Sequence, residues 1–249
     1  MTQRISLLSV LVALIFYANP VFGDNFSSEV AIANDLYSKN KFQQAADSYE
    51  SLIERGFHNG YLYYNLGNAY IRLGKKGHAI LNYIRAKKLI PREENLQANL
   101  NFAIQQTRDK TPAPTPDTLS TFFFWINDLS INENLKMALV LNLIFWSILL
   151  AWFYFRSDFL KLARNFFLVI LFISLLGNGI QLYLTSISST GVVLAKEVEV
   201  KSGFGQSNVT LFELHEGALV TVSGQSQGWL EIQINSKQKG WVPKESIGI

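Results

Sequence analysis

The chain has 249 residues, 49% of them hydrophobic and 16% charged, with a formal net charge of +3 and no cysteine. It is too apolar for an ordinary soluble protein and too short for a large transporter. The lack of cysteine excludes a disulfide framework, thiol redox chemistry and thiolate metal sites. No Lys/Arg tract has nucleic-acid character, so nucleic acid is not an expected partner.

The apolar residues gather at 5–17, 137–155 and 166–184, with ordinary composition between them. The first cluster follows Arg4, runs from Ile5 to Tyr17 and gives way to Pro20 and small residues ending at Gly23. Residues 1–23 therefore read as a secretory signal peptide cut before Asp24. An uncleaved anchor is the other reading, although the run is short for a span of about 20 residues. Either way, the chain from Asp24 onward is expected to emerge outside the cytoplasm.

Residues 24–109 carry an internal period of 34 residues, pairing Ala33 with Gly67, Leu36 with Tyr70, Ala45 with Ala79 and Tyr49 with Tyr83. This is the tetratricopeptide period, and the spacing predicts two helix-turn-helix units at 26–59 and 60–93. The second unit resembles the tetratricopeptide consensus at Tyr63, Leu66, Gly67, Tyr70, Ala79, Tyr83, Ala86 and Pro91. The first is more degenerate, with Glu29 where a large aromatic is usual, and its first helix is expected to fray. A capping helix over 93–107 is marked by Leu96, Leu100 and Ile104 with Asn and Gln on its other faces.

Tetratricopeptide solenoids present the first helix of each unit on a concave surface that takes a peptide or helix. Position by position, that resemblance lines a partner groove with Asn34, Tyr37, Tyr61, Tyr64, Asn65, Asn68, Arg72 and Asn99. Asn amides can hydrogen-bond an extended backbone, and Arg72 can pair with a carboxylate. Equally, these Asn residues match the Asn-Leu-Gly-Asn-Ala-Tyr idiom of the repeat and carry no function of their own.

Residues 110–118 hold three prolines in Pro112, Pro114 and Pro116 and read as an extended spacer. Residues 119–136 include Phe122, Phe123, Phe124 and Trp125, as expected of a segment at the lipid headgroup level. A hydrophobic helix docked on the repeat domain is the alternative. Residues 137–155 and 166–184 are 19-residue runs without a formal charge, each able to cross a hydrocarbon core of roughly 30 Å. The loop between them, 156–165, sets Arg156, Lys161 and Arg164 against Asp158, so the positive-inside rule makes it cytoplasmic. Both soluble modules then lie on the external side. Asn142, Ser147, Ser174, Asn178 and Gln181 within the spans suit helix packing. The absence of ionisable residues there argues against transport.

From 191 to 249 the pattern changes to period two, with Val198 and Val200, then Leu219, Val220 and Val222, then Leu230, Ile232 and Ile234. Short strands between Gly and polar turns imply a small all-β barrel. Leu214-His215-Glu216-Gly217, Gly228-Trp229-Leu230 and Gly240-Trp241-Val242-Pro243 resemble the bacterial SH3-like domain. That resemblance implies a ligand surface at Trp229 and Trp241 for cell-wall peptides or proteins, with Trp241 equally suited to the barrel core.

The expected fold is thus a multidomain membrane protein: an α-helical tetratricopeptide solenoid, two transmembrane helices and an SH3-like barrel. No phosphate loop, metal-spaced His pair or nucleophile elbow is found, so neither enzymatic activity nor a cofactor is expected. In order, these segments resemble the E-type proteins of the Bacteroides aerotolerance operon. The resemblance also rests on Val193-Leu194-Ala195 leading into the barrel, with its Leu-His-Glu-Gly and Gly-Trp-Val-Pro motifs. It implies partners among membrane proteins with von Willebrand factor A-type domains, associated with a MoxR-class ATPase, and a role in oxidative-stress tolerance or envelope integrity. The expected function is an externally facing, membrane-anchored protein-protein interaction scaffold in a bacterial inner membrane. The alternatives are a peptidoglycan-binding anchor and an accessory subunit of an envelope hydrolase or chaperone.

Overall fold

The computed structural model describes residues 23–110, 125–187, 189–235 and 238–249. Residues 1–22 of the expected signal peptide 1–23, most of the Pro-rich spacer and Phe122 to Phe124 lie outside the described residues. The chain divides into two compact units, residues 1–57 and 58–249.

The described part of the first unit is a helical hairpin, α1 (Gly23–Ser38) and α2 (Phe42–Glu54). The turn is closed by Asn40 in the left-handed region, a conformation that Asn tolerates better than most residues. Ala33, Ala45 and Ala46 are fully buried with Tyr49 and Leu52, small residues letting the helices approach and large ones filling the gap. Helix α1 is continuous rather than frayed at Glu29, whose carboxylate accepts a hydrogen bond from Arg55. Phe26 stacks on Phe57 at 4.9 Å, holding the start of α1 against the end of the hairpin.

The second unit begins with α3 (Gly60–Arg72), α4 (Lys76–Leu89) and α5 (Glu94–Gln105). Asn59 caps α3 by accepting from the Tyr61 amide at 2.8 Å. Gly67 is forced by packing: a Cβ there would lie 2.5 Å from the Tyr83 ring. After a helical turn at Trp125–Asp128 (α6) come α7 (Ile131–Phe155) and α8 (Asp158–Ile187). Ser130 and Glu133 form a reciprocal capping box at the start of α7.

Helices α7 and α8 are long and apolar enough to cross a membrane. They exceed the runs expected from composition. Residues 131–136 form the first turns of α7, and residues 158–165, expected as a loop, form the first turns of α8. Only Arg156 and Ser157 separate the helices, because Arg156 takes the left-handed conformation (φ 52°) and reverses the chain at once. Both helices therefore have their far ends together: the buried Asn134 amide donates to Gln181 Oε1 at 2.9 Å, and Gln181 donates to the Leu129 carbonyl. Trp125 packs at Gly177 of α8, where a Cβ would sit 3.2 Å from the indole nitrogen.

Helix α8 leads almost directly into β1 (Ser189–Val193) of an antiparallel sheet completed by β2 (Glu197–Lys201), β3 (Thr210–His215), β4 (Leu219–Ser226), β5 (Trp229–Asn235), β6 (Gln238–Pro243) and β7 (Ile247–Gly248). The strand order is β3-β2-β6-β5-β4-β1-β7. Gln227 and Gly228, both with positive φ, make the two-residue turn between β4 and β5, where Ser226 pairs with Trp229. Val193, Val200, Leu214, Val220, Ile232, Val242 and Ile247, drawn from all seven strands, meet in one core. The sheet must therefore curl around its inward face. It does not close, since β3 and β7 have no ladder between them among the described residues. The expected barrel is, in hydrogen bonding, an open sheet.

Candidate functional site

Two surfaces and the seam between their domains carry the groups from which function can be argued, all within the second unit. The seam fixes the other two. Helix α4 packs on β1 through backbone made bare by glycine. A Cβ at Gly77 would lie 2.5 Å from the Val193 carbonyl oxygen, one at Gly248 2.4 Å from Leu81, and one at Gly217 2.5 Å from Thr107. Gly217 is also needed for its conformation (φ 86°) in the β3–β4 turn. The Gly77 amide, in the first turn of α4, donates to Glu216 Oε1 at 2.9 Å, a carboxylate at the positive end of a helix dipole. The Asp109 carboxylate accepts from the His215 amide and lies 3.1 Å from its Nδ1. Arg85 donates to the Ile249 carbonyl at 2.7 Å. The Leu214-His215-Glu216-Gly217 turn thus joins the sheet to the helices, a role that sequence motifs gave no reason to expect.

On the helical surface, the groove residues expected from the repeat divide into brackets and exposed groups. Asn68 Oδ1 accepts from the Tyr83 hydroxyl at 2.7 Å and from Asn99 Nδ2 at 2.9 Å, while Asn99 also donates to the Tyr64 hydroxyl at 3.1 Å. In the first unit, Asn34 Oδ1 accepts from the Tyr49 hydroxyl at 2.6 Å, the same contact one 34-residue period earlier. These Asn side chains satisfy buried tyrosine hydroxyls, so their first task is structural. Burial, with Tyr37 beside it, pushes the Tyr49 hydroxyl up to about 12. Tyr37 meets Phe42 edge-on at 5.2 Å. Asn65 is half-buried and Arg72 exposed along α3.

Two aromatics on these helices are also exposed. Tyr61 is 54% exposed and Phe102 57% exposed, the latter one helical turn from Asn99 on α5. Phe102 stands one period after Asn68, where the repeat places an amide; comparing periods through to the third helix would have found it. Beside Tyr61 a cleft of about 280 Å³ opens between Ile90, Arg92, Glu93 and Glu133, crossed by the Arg92–Glu133 ion pair.

On the sheet surface, the structure brings Trp229 and Trp241 together. Trp229 pairs with Pro243 and Glu231 with Trp241, so the two indoles are diagonal neighbours on the outward face of β5 and β6. Their inward neighbours Leu230 and Val242 occupy the core instead. The alternative of Trp241 as a core residue is therefore not what is found. Phe204 meets Trp241 edge-on at 5.6 Å and extends the aromatic strip. Next to it, Lys201 pairs with Glu199, which holds that carboxyl below the usual range. Among the described residues no group of three His, Asp or Glu side chains is placed to hold a metal ion. The chain matches no protein-family model and no curated protein.

Proposed function

We propose that this chain is a membrane-anchored scaffold of a bacterial envelope, built as a tetratricopeptide domain, whose residues from His58 onward dock on an SH3-like domain, on the external side of the inner membrane. The observation that carries the reading is that two aromatics, Tyr61 on α3 and Phe102 on α5, are exposed on helices bridged by the Asn68–Asn99–Tyr64 hydrogen bonds. Exposed aromatics on a rigid face supply large contact area at low ordering cost, the usual composition of a protein-binding hot spot. Antiparallel helices α7 and α8 with their far ends together put residues 58–110 and 189–249 on one side of any bilayer they cross. The cations at the opposite end support a cytoplasmic position for the turn. Partners of the von Willebrand factor A type with a MoxR-class ATPase, and a role in oxidative-stress tolerance or envelope integrity, come from the family resemblance.

The aromatic strip Phe204–Trp241–Trp229 favours a second reading, a cell-wall anchor. Purified full-length chain is incubated with isolated peptidoglycan and, separately, cross-linked in native membranes and co-purified. The scaffold reading predicts co-purifying protein that is lost at least tenfold, about 1.4 kcal/mol, in Tyr61→Ala plus Phe102→Ala and retained in Trp229→Ala. Peptidoglycan binding abolished by Trp229→Ala, with no protein lost in the helix variant, would replace it by the anchor reading.

A further inference from the structure

Around the two-residue turn between α7 and α8, Arg156, Lys161 and Arg164 outnumber the one carboxylate there, Asp158. Arg156 lies 5.2 Å from the Trp152 ring centroid and Arg164 4.3 Å from the same centroid. Two like charges from two helices are thus brought within about one Debye length, ~10 Å at 0.1 M. Neither they nor Lys161 has a carboxylate within ion-pairing distance among the described residues. Arg156 also lies 5.0 Å from the Phe153 centroid, and a guanidinium over an aromatic ring still has N–H donors to offer phosphate oxygens. Arg164 directs its Nε and Nη2 edge to Asn165 Oδ1, at 3.1 and 2.8 Å, which leaves the Nη1 end of its fork for a phosphate oxygen. Around the turn Tyr154, Phe155 and Phe159 are each at least 69% exposed, an aromatic collar of the kind found at the headgroup level.

We infer that Arg156 and Arg164, held by Trp152, form a site for the phosphodiester of an anionic lipid headgroup, with Lys161 adding attraction. The inference rests on the reading of α7 and α8 as membrane spans. A lipid phosphate supplies the missing negative charge where the spans place the turn, and the acyl chains lie along the exposed apolar faces of the helices. Bound there, one lipid ties the end of α7 to the start of α8 and fixes the hairpin at the inner leaflet.

The test uses the purified full-length chain in detergent, with lipid occupancy read by native mass spectrometry and stability by thermal melting. Phosphatidylglycerol is expected to bind and raise the melting temperature, and phosphatidylcholine to do neither. Arg156→Gln plus Arg164→Gln is expected to weaken phosphatidylglycerol binding roughly tenfold. Lys87→Gln plus Lys88→Gln, on exposed positions of α4, leaves it unchanged. Equal phosphatidylglycerol binding by the arginine variant and the native chain overturns the site. A melting shift from millimolar inorganic phosphate alone, lost in the arginine variant, overturns the lipid assignment in favour of a free anion. Extraction of the chain from membranes by alkaline carbonate overturns the spanning reading itself; a chain that stays in the membrane yet is indifferent to phosphatidylglycerol overturns only the site.

Discussion

Replacing Gly77 by Ala separates a docked sheet from an independent one by the sign of the effect. Gly77 has an ordinary helical backbone near the start of α4, so with nothing beside it Ala would raise helix propensity and stabilise by up to about 1 kcal/mol. In the docked structure the new Cβ would lie 2.5 Å from the Val193 carbonyl oxygen and 3.3 Å from Leu194 Cα. Both are backbone atoms, so no rotamer change relieves the overlap and α4 must withdraw from β1 by roughly an ångström. Overpacking of this kind costs ~1–3 kcal/mol. Withdrawal also stretches the Gly77 amide bond to Glu216, and hydrogen bonds to charged groups contribute ~1.5–3 kcal/mol. Set against the propensity gain, the net expectation is a loss of about 2 kcal/mol. For a body of this size that lowers the melting temperature by about 4–8 °C, read by circular dichroism on the full-length chain in detergent. An unchanged or raised melting temperature would refute the docking.

Asn68→Ala leaves the buried Tyr83 hydroxyl without its acceptor and should cost ~1–3 kcal/mol by denaturant melting, whereas Lys88→Ala, at an exposed position, should cost under about 0.5 kcal/mol. Tyr49 must keep its proton to donate to Asn34, and its folded pKa is raised above the ordinary value near 10. Its contribution is therefore complete below pH 10 and lost as the pH climbs towards 12; tyrosinate absorbance should show a late-titrating component, shared with Tyr63, whose hydroxyl burial also pushes up, and Tyr49→Phe should diminish it. Because the chain has no cysteine, single introduced thiols report topology cleanly. Asn101→Cys and Lys244→Cys should react with an impermeant maleimide in intact cells, and Asp158→Cys only after permeabilisation. Labelling of Asp158→Cys alone from outside would invert the hairpin, and labelling of all three would overturn the spanning reading.

Much of the architecture was legible because periodicity reports burial: the 34-residue period marked the helical hairpins, and alternation at Val198, Val200, Leu230 and Ile232 marked strands that do face one core. Helix limits around the turn were not legible, because a run of charge does not end a helix. A helix ends where its backbone does, and Arg156 alone reverses the chain. The Asn residues were legible by type but not by role, since an amide that answers a tyrosine on the next helix has the same spacing as one that faces a ligand. The seam was illegible. Gly77, Gly217 and Gly248 are individually ordinary, and only the fold shows that each is opposite an atom leaving no room for a Cβ.

The scaffold claim is tested most directly by placing a photo-crosslinking phenylalanine analogue at position 102 and, in a parallel chain, at position 229, in native membranes. The account predicts a discrete protein adduct from position 102, lost when Tyr61→Ala is added, and none of comparable yield from position 229. Cell-wall adducts from position 229 with none from position 102 would contradict it.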